Sequence, residues 1–216
     1  MARLVVPGYP HHVTQRGSRQ QRTFFDDADY LAYLELLGEQ KEKAAVDVWA
    51  YCLMPNHIHV VAVPQQKQSL AKLFGVTHHR YALRVNSAHG WCGHLWQERF
   101  HSFVMDESHL IVAVRYVELN PVRAGLCSRA EDWRWSSVHA HLNDACDDLV
   151  NIAPMCERIS NWVDYLREDN FPDLLDSLRK HTNSGRPAGD ERFIEQLEVE
   201  TGRRLGHRKP GPKPRN

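Results

Sequence analysis

The chain is organised around residues 49–63, which read Trp49-Ala-Tyr-Cys-Leu-Met-Pro-Asn-His-Ile-His-Val-Val-Ala-Val63. Two short apolar runs, 46–53 and 57–63, meet there across a turn signal at 54–56. Short runs that are rich in β-branched and aromatic residues and bounded by turn residues are typical of buried strands. The stretch therefore predicts a β-hairpin, and we expect this hairpin to carry the functional site.

Two histidines stand at the beginning of the second predicted strand. Because side chains alternate across a strand, His57 and His59 share one face, with their Cα atoms roughly 6–7 Å apart. Two imidazoles at this spacing can converge on one metal ion. The pattern is equally that of two hydrogen-bonded histidines at a strand end, and the pair alone does not separate the two interpretations.

A second informative element lies far along the chain, at residues 106–120. Its apolar residues repeat at helical spacing, which predicts an amphipathic helix. Tyr116 and Asn120 are four residues apart and so lie on one flank of that helix. Pro121 disfavours helical geometry at Asn120 and places Asn120 near the helix end. Taken alone, Tyr116 is also compatible with a half-buried aromatic residue.

Three motifs in collinear order resemble one known family. They are Met54-Pro-Asn-His-Ile-His59, Leu95-Trp-Gln-Glu-Arg99 and Arg115-Tyr-Val-Glu-Leu-Asn-Pro-Val-Arg-Ala-Gly125. The chain resembles the REP-associated tyrosine transposases, which are relatives of the IS200/IS605 single-tyrosine HUH transposases. The resemblance runs from about Pro7 to about Ser137.

This resemblance implies the residues of an active site. Tyr116 would attack phosphorus, and His57 and His59 would bind Mg²⁺ or Mn²⁺, of which Mn²⁺ suits imidazole better. Asn120 would complete the metal site, although related transposases carry a glutamine at the corresponding helix position. A divalent ion polarises the scissile phosphate, and a hydroxyl nucleophile holds the cut strand covalently.

The resemblance also implies a function. The expected activity is a metal-dependent single-stranded DNA endonuclease and strand transferase (transposase-like), which cleaves and rejoins DNA at hairpins of repetitive extragenic palindromes through a 5′-phosphotyrosine intermediate. A non-cleaving DNA-hairpin-binding regulator on the same fold is the alternative. A metal hydrolase of the barrel type is disfavoured, because that fold takes about 250 residues of repeating strand and helix. The family branch favours a monomer, and a dimer that exchanges the tyrosine helix is the other arrangement.

The order of predicted elements gives the fold class. Strands at 11–16 and 94–105 flank the hairpin, and helices separate them, so we expect an α+β fold with an antiparallel sheet. The resemblance sharpens this to a ferredoxin-like arrangement. We expect three regions: an HUH-type nuclease domain at 1–142, a helical C-terminal extension at 143–201 and a flexible basic tail at 202–216.

Composition is that of an ordinary globular protein. The chain has 216 residues, 42% of them apolar and 25% charged, with a formal net charge of zero. Neither a signal peptide nor a membrane span is visible, so a cytoplasmic location is expected. The five cysteines are odd in number and form no C-x-x-C pair. They therefore indicate reduced thiols rather than a zinc ribbon or a disulfide framework.

A net charge of zero is unlike that of a protein that simply coats DNA, but basic residues are locally concentrated. The tail at 202–216 holds six Lys and Arg and no acid. Such local surfaces suffice to grip a short single strand or hairpin. For each cluster, ordinary solvated charge is the alternative. The candidate DNA-binding residues are Arg16, Arg19, Arg22, Arg80, Arg84, Arg99, Arg203, Arg204, Arg208 and Lys209.

Overall fold

The fold is a four-stranded antiparallel sheet with helices on both faces. The computed structural model describes residues 3–145, 147–167, 176, 178, 180–182 and 184–206. The strands are β1 (His11–Arg16), β2 (Val46–Met54), β3 (His57–Pro64) and β4 (His101–Val104). The helices are α1 (Asp27–Ala44), α2 (Ser69–His89), α3 (Glu107–Glu118), α4 (Asn120–Arg123), α5 (Val138–Asn143), α6 (Ala153–Cys156), α7 (Trp162–Arg167) and α8 (Glu191–Thr201).

The strand order is β2-β3-β1-β4, and each neighbouring pair is antiparallel. This order, with α1 following β1 and α2 following β3, is that of the ferredoxin-like fold. The predicted α+β class is therefore confirmed. The predicted hairpin is also present, since β2 and β3 pair across the Pro55-Asn56 turn with Met54 opposite His57.

The fourth strand is shorter than predicted. The sequence indicates a strand over 94–105, but only His101–Val104 pairs with β1. The regular ladder with β1 stops at the Thr14–His101 pair, and beyond it only an isolated bridge, out of the register of that ladder, joins Gly17 to Trp96. Leu95 and Trp96 instead bury adjacent side chains in the core beneath α1 and α2. Burying two neighbours on one side is incompatible with the alternation of a strand, and this part of the prediction is wrong.

The two faces of the sheet bury two separate cores. On one face, Val13, Ile58 and Val60 pack against α1 and α2. On the other face, Val61 packs with α3 and with side chains of α6 and α7. Because alternate residues of β3 face opposite sides, His57 and His59 lie on the face that α3 covers. The sheet therefore presents both histidines to the tyrosine helix.

The tyrosine helix α3 is anchored at both ends. At its start, the Asp106 carboxylate accepts the backbone N–H of His109 at 2.8 Å, which caps the helix. At its end, the fully buried Glu118 carboxylate lies 2.6 to 2.8 Å from three polar atoms. These are the Ser137 Oγ, the His141 Nδ1 and the Trp162 Nε1. Breaking such a buried charged network typically costs about 3–5 kcal/mol, so residues well beyond the sheet fix the position of α3.

The proposed division of the chain at 142/143 stays a prediction. Trp162 and Tyr165, which lie after that division, bury their side chains in the same core as α3. The extension is thus packed against the tyrosine helix. Of the predicted basic tail, Arg203 and Arg204 are described, whereas Arg208 and Lys209 lie outside the described residues.

Within the described part of the chain, no helix is both long enough and apolar enough to span a membrane. Four of the five cysteines lie in this part, at 52, 92, 127 and 156, and each of them is a free thiol.

Burial of His78 on α2 makes stability depend on pH. Its Nε2 lies 2.9 Å from the Tyr33 hydroxyl, and burial lowers the pKa of His78 from 6.5 to about 3. The unfolded chain therefore binds one more proton than the folded chain between these values. The stabilisation is fully present above pH 6.5 and is lost as the pH falls toward 3.

We expect His78 to account for about 2 kcal/mol of the unfolding free energy lost between pH 7.5 and pH 5. Urea unfolding of the wild type and of His78→Gln at both pH values measures this loss. Between pH 7.5 and pH 5, the unfolding free energy of His78→Gln should fall by less than that of the wild type. His79→Gln is the matched control, because His79 is exposed one residue along the same helix. An equal loss in His78→Gln and wild type would contradict the assignment.

Candidate active site

The predicted tyrosine, both predicted histidines and the predicted asparagine line one cleft between the sheet and α3. The cleft has a volume of about 850 Å³. Four elements supply most of its polar lining, namely β1 with Thr14 and Arg16, β3 with His57 and His59, α3 with Tyr116, and α4 with Asn120 and Arg123. The structure thus brings together residues that lie up to 168 positions apart, from Thr14 to Thr182.

Strand register places the histidines among their neighbours. In the β1–β3 pair, Arg16 lies opposite His57 and Thr14 lies opposite His59. The His57 and His59 ring centroids are 5.0 Å apart, and the rings are nearly perpendicular at 79°. The Tyr116 ring centroid lies 5.6 Å from that of His59. The three rings therefore surround one small space at the bottom of the cleft.

The protonation of His57 follows from its hydrogen bond. Its Nδ1 lies 2.6 Å from the Oδ1 of Asn56, and the Nδ2 of Asn56 donates to the Gln20 carbonyl oxygen, which fixes the orientation of the amide. An amide oxygen can only accept, so the His57 Nδ1 carries the hydrogen. Burial, aided by the Arg16 charge, lowers the pKa of His57 to about 4. The ring is therefore neutral at pH 7, with an unprotonated Nε2.

His59 is held by a third histidine, His12 of β1. The His12 Nε2 and the His59 Nδ1 are 2.9 Å apart, and the two rings stack with centroids 5.1 Å apart. Burial and the nearby His12 lower the pKa of His59 well below its ordinary value, and burial lowers that of His12 to about 3. If His59 donates from Nδ1 to His12, the His59 Nε2 lone pair is available to a ligand.

Tyr116 is partly buried on α3, and an arginine covers its ring. The Arg123 guanidinium carbon lies 3.7 Å from the Tyr116 ring centroid, and the Arg123 Nη1 donates to the Tyr116 carbonyl oxygen at 2.9 Å. His12 approaches the same ring edge-on at 6.1 Å. The phenol is thereby fixed between a cation and the histidines. A cation at this position favours the negative charge of a phosphate nearby.

The residues of the cleft fit a divalent metal ion. Two neutral imidazoles 5.0 Å apart at their centroids are compatible with ring nitrogens that reach one ion at about 2.1 Å. Among the residues that the structure describes, no group of three or more His, Cys, Asp or Glu is arranged to hold a metal. The buried Asn120, whose amide oxygen is a possible metal ligand, lines the same cleft.

Sequence reasoning missed Arg123, which lines this cleft, and His12, which is buried against His59. Both stood in stretches recognised as informative, the first strand and the motif that contains Tyr116. Alternation along β1 places His12, Thr14 and Arg16 on one face, and that periodicity could have indicated His12 once the pairing of β1 with β3 was known. Arg123 follows Tyr116 by seven residues, or about two helical turns.

The candidate DNA-binding arginines are spread over different surfaces. Arg16 lines the catalytic cleft, and Arg19 and Arg22 line separate grooves nearby. On α2, Arg80 pairs with Glu39 at 2.6 Å and Arg84 with Asp29 at 3.7 Å, on the sheet face opposite the cleft. The remaining described candidates, Arg99, Arg203 and Arg204, line a second cleft beside β4.

Comparison with known proteins assigns this chain to a family and identifies similar solved structures. The family model described as "Transposase IS200 like" matches residues 7–120, which contain the histidine strand, Tyr116 and Asn120. The solved structure of a REP-associated tyrosine transposase bound to a REP hairpin is similar in fold, with a TM-score of 0.54 and 19% identity. That match covers 70% of this chain and 93% of the other chain.

A candidate transposase from Deinococcus radiodurans is also similar, with a TM-score of 0.39 and 19% identity over 55% of this chain and 95% of that chain. A comparison with curated protein sequences gives no significant match.

Proposed function

This chain belongs to the family of IS200-like transposases, and we propose that it is a metal-dependent nuclease and strand transferase that cuts single-stranded DNA at hairpins with Tyr116 as nucleophile. One observation carries the proposal. The Tyr116 ring lies 5.6 Å from the His59 ring in a cleft that His57, Asn120 and Arg123 also line. A candidate nucleophile, a candidate metal site and a cation thus lie together in one cleft, and the chain belongs to a family of transposases.

The chemistry is a transesterification. The Tyr116 oxygen attacks the scissile phosphorus, the bond from phosphorus to the 3′-oxygen breaks, and a 5′-phosphotyrosine link forms. The phenol proton passes to water in the cleft, and the departing 3′-oxygen takes a proton from water. Arg123, stacked on the Tyr116 ring, favours the negative charge that develops beside it. Attack by a 3′-hydroxyl reverses the step, so rejoining needs no external energy source.

We propose His57, His59 and Asn120 as the ligands of Mg²⁺ or Mn²⁺. When bound, the ion would supply Lewis-acid polarisation of the phosphate and of the leaving oxygen. The three protein ligands are neutral, so they leave the charge of the ion available to an anionic substrate. The Asn56 and His12 contacts orient the two imidazoles.

The surroundings of the site suit single-stranded DNA. A neighbouring cleft of about 810 Å³ begins at His57 and is lined by aromatic side chains, namely Phe25, Tyr30, Trp133 and Trp135. Phe25 and Trp133 are partly exposed there and can stack on unpaired bases, which duplex DNA does not offer, whereas Tyr30 and Trp135 are buried and stack on each other. The related solved structure is bound to a REP hairpin, and we propose hairpins of this kind as the substrate. We also propose, on the family branch that the motifs resemble, a monomer in which Tyr116 acts in cis with the histidines of its own chain.

The proposal is tested by incubating the purified protein with an end-labelled DNA hairpin that carries single-stranded flanks, in Mg²⁺, in Mn²⁺ or in EDTA. We expect a covalent protein–DNA band on a denaturing gel in either metal and its absence in EDTA. Hairpins without flanks serve as the control, because their only unpaired nucleotides are those of the closed loop and no free strand end extends from the stem. If the protein binds hairpins with several flanking sequences tightly but never forms an adduct, the proposed nuclease activity is refuted. That result would indicate a DNA-binding regulator.

A further inference from the structure

The structure carries a second basic site that lies outside the catalytic cleft. Five arginines line a cleft of about 640 Å³ beside β4: Arg3, Arg99, Arg186, Arg203 and Arg204. We propose that this arginine cleft binds the phosphate backbone of the DNA strand that leaves the catalytic cleft. This inference rests on the proposed function and deepens it, because it assigns a path to the substrate.

Segments far apart in sequence build the arginine cleft. β4 is an edge strand, and the segment before α8 covers its free edge, because the Ala188 N–H donates to the Val104 carbonyl oxygen at 2.8 Å. The Arg203 Nη1 donates to the Arg3 carbonyl oxygen at 3.4 Å, which ties the chain after α8 to the chain before β1. The site is therefore present only in the folded chain with its C-terminal extension docked.

Two of the five arginines carry buried guanidinium nitrogens that an anion could contact. The Arg3 Nη1 and the Arg186 Nη1 are buried without a hydrogen-bond partner in the described part of the chain. Burial and the nearby Arg99 charge lower the pKa of Arg3. Buried guanidinium nitrogens without acceptors are costly unless a ligand satisfies them. An anion in the cleft would supply those acceptors.

The carboxylates nearby are already engaged. Glu98, the acid that lines this cleft, lies 2.9 Å from His101 through its Oε1. Glu198 accepts the backbone N–H groups of Leu205 and Gly206. The residues that follow Gly206 in sequence are themselves basic, with Arg208, Lys209, Lys213 and Arg215. They carry the same positive charge as the arginine cleft, so an external anion is a better ligand for this cleft than the chain's own C-terminal residues.

Position and size favour a nucleic-acid strand over a small anion. Glu98 and His101 line both the arginine cleft and the catalytic cleft, so the two clefts adjoin. Five guanidinium groups exceed what a single phosphate requires, whereas a DNA strand presents a charge at every nucleotide. Arginine forks match phosphate oxygens in pairs. A strand cut at Tyr116 can therefore continue directly into the arginine cleft.

The test measures how salt affects DNA binding. Arg99→Gln/Arg204→Gln removes two exposed charges of the cleft, and Arg129→Gln/Arg158→Gln removes two exposed charges that pair elsewhere with Glu131 and Glu107. Each double variant, made in the Tyr116→Phe background and studied in EDTA, is titrated with a labelled flanked hairpin over a range of KCl. Binding is then independent of cleavage.

We expect the cleft variant to weaken binding about tenfold or more at moderate salt. The slope of log Kd against log salt should fall by about 1.4–1.8, because two phosphate contacts are lost. The control should keep the wild-type slope. An unchanged affinity and slope in the cleft variant would overturn the inference even if the wild type forms its covalent adduct. If the slope falls in the cleft variant but the wild type forms no adduct, the arginine cleft still binds DNA and only the proposed nuclease activity is refuted.

Discussion

Tyr116→Phe should abolish the covalent protein–DNA adduct. The substitution removes a single oxygen, the atom that would bond to phosphorus, so the strand transfer has no acceptor on the protein. We expect strand cleavage to fall by at least roughly 10⁴-fold, as is typical when a nucleophile is deleted. A denaturing gel of Mn²⁺ reactions with the labelled hairpin, followed over time, measures both the adduct and the cut strand.

The fold should tolerate this change. The phenylalanine ring keeps the stacking against Arg123 and the edge contacts with His12 and His59, since these involve the ring and not the hydroxyl. Hairpin affinity in EDTA should therefore remain within about twofold of the wild type. Tyr9→Phe is the matched control, because the Tyr9 hydroxyl bonds to Glu200 away from the cleft. An adduct that persists in Tyr116→Phe would mean that another residue is the nucleophile.

The sequence predicted most of the sheet because its local signals agree with the tertiary structure. β1, β2 and β3 are short apolar runs with clear turn residues at their ends, and the observed bounds lie within one residue of the prediction. The fourth strand failed for a reason outside its own sequence. The regular ladder with β1 stops at the Thr14–His101 pair because the chain before it buries Leu95 and Trp96 in the core, and that packing partner is not visible in the local sequence.

The candidate site was predictable where its residues belong to spaced motifs. Tyr116, His57, His59 and Asn120 meet in one cleft, as their motifs implied. His12 escaped notice because its role depends on a diagonal contact with His59 across two strands. The arginine cleft could not be predicted either. It joins Arg3 to Arg203, which are 200 positions apart, and only the docked extension brings them together.

His59→Ala should remove most of the metal-dependent rate. The substitution deletes one of two imidazoles that face the candidate metal site, and Asn120 and His57 remain. We expect adduct formation at saturating Mn²⁺ to slow by about 10³-fold, on the order of 4 kcal/mol in the barrier. Single-turnover rates as a function of Mn²⁺ concentration, with circular dichroism to verify folding, measure the effect. A rate within threefold of the wild type would remove His59 from the metal site.

His12 should affect metal binding indirectly, by orienting the His59 ring. Substituting His12 therefore tests whether His59 is a positioned metal ligand. His12→Leu removes the ring nitrogen that lies 2.9 Å from the His59 Nδ1, so His59 loses the contact that orients its ring. The Mn²⁺ concentration for half-maximal rate should rise about 10–100-fold while the saturated rate stays near that of the wild type. His12→Gln places an amide group in reach of the same His59 nitrogen and should recover most of the affinity. If His12→Leu instead lowers the saturated rate and leaves the metal dependence unchanged, His12 contributes to the reaction by some route other than positioning His59.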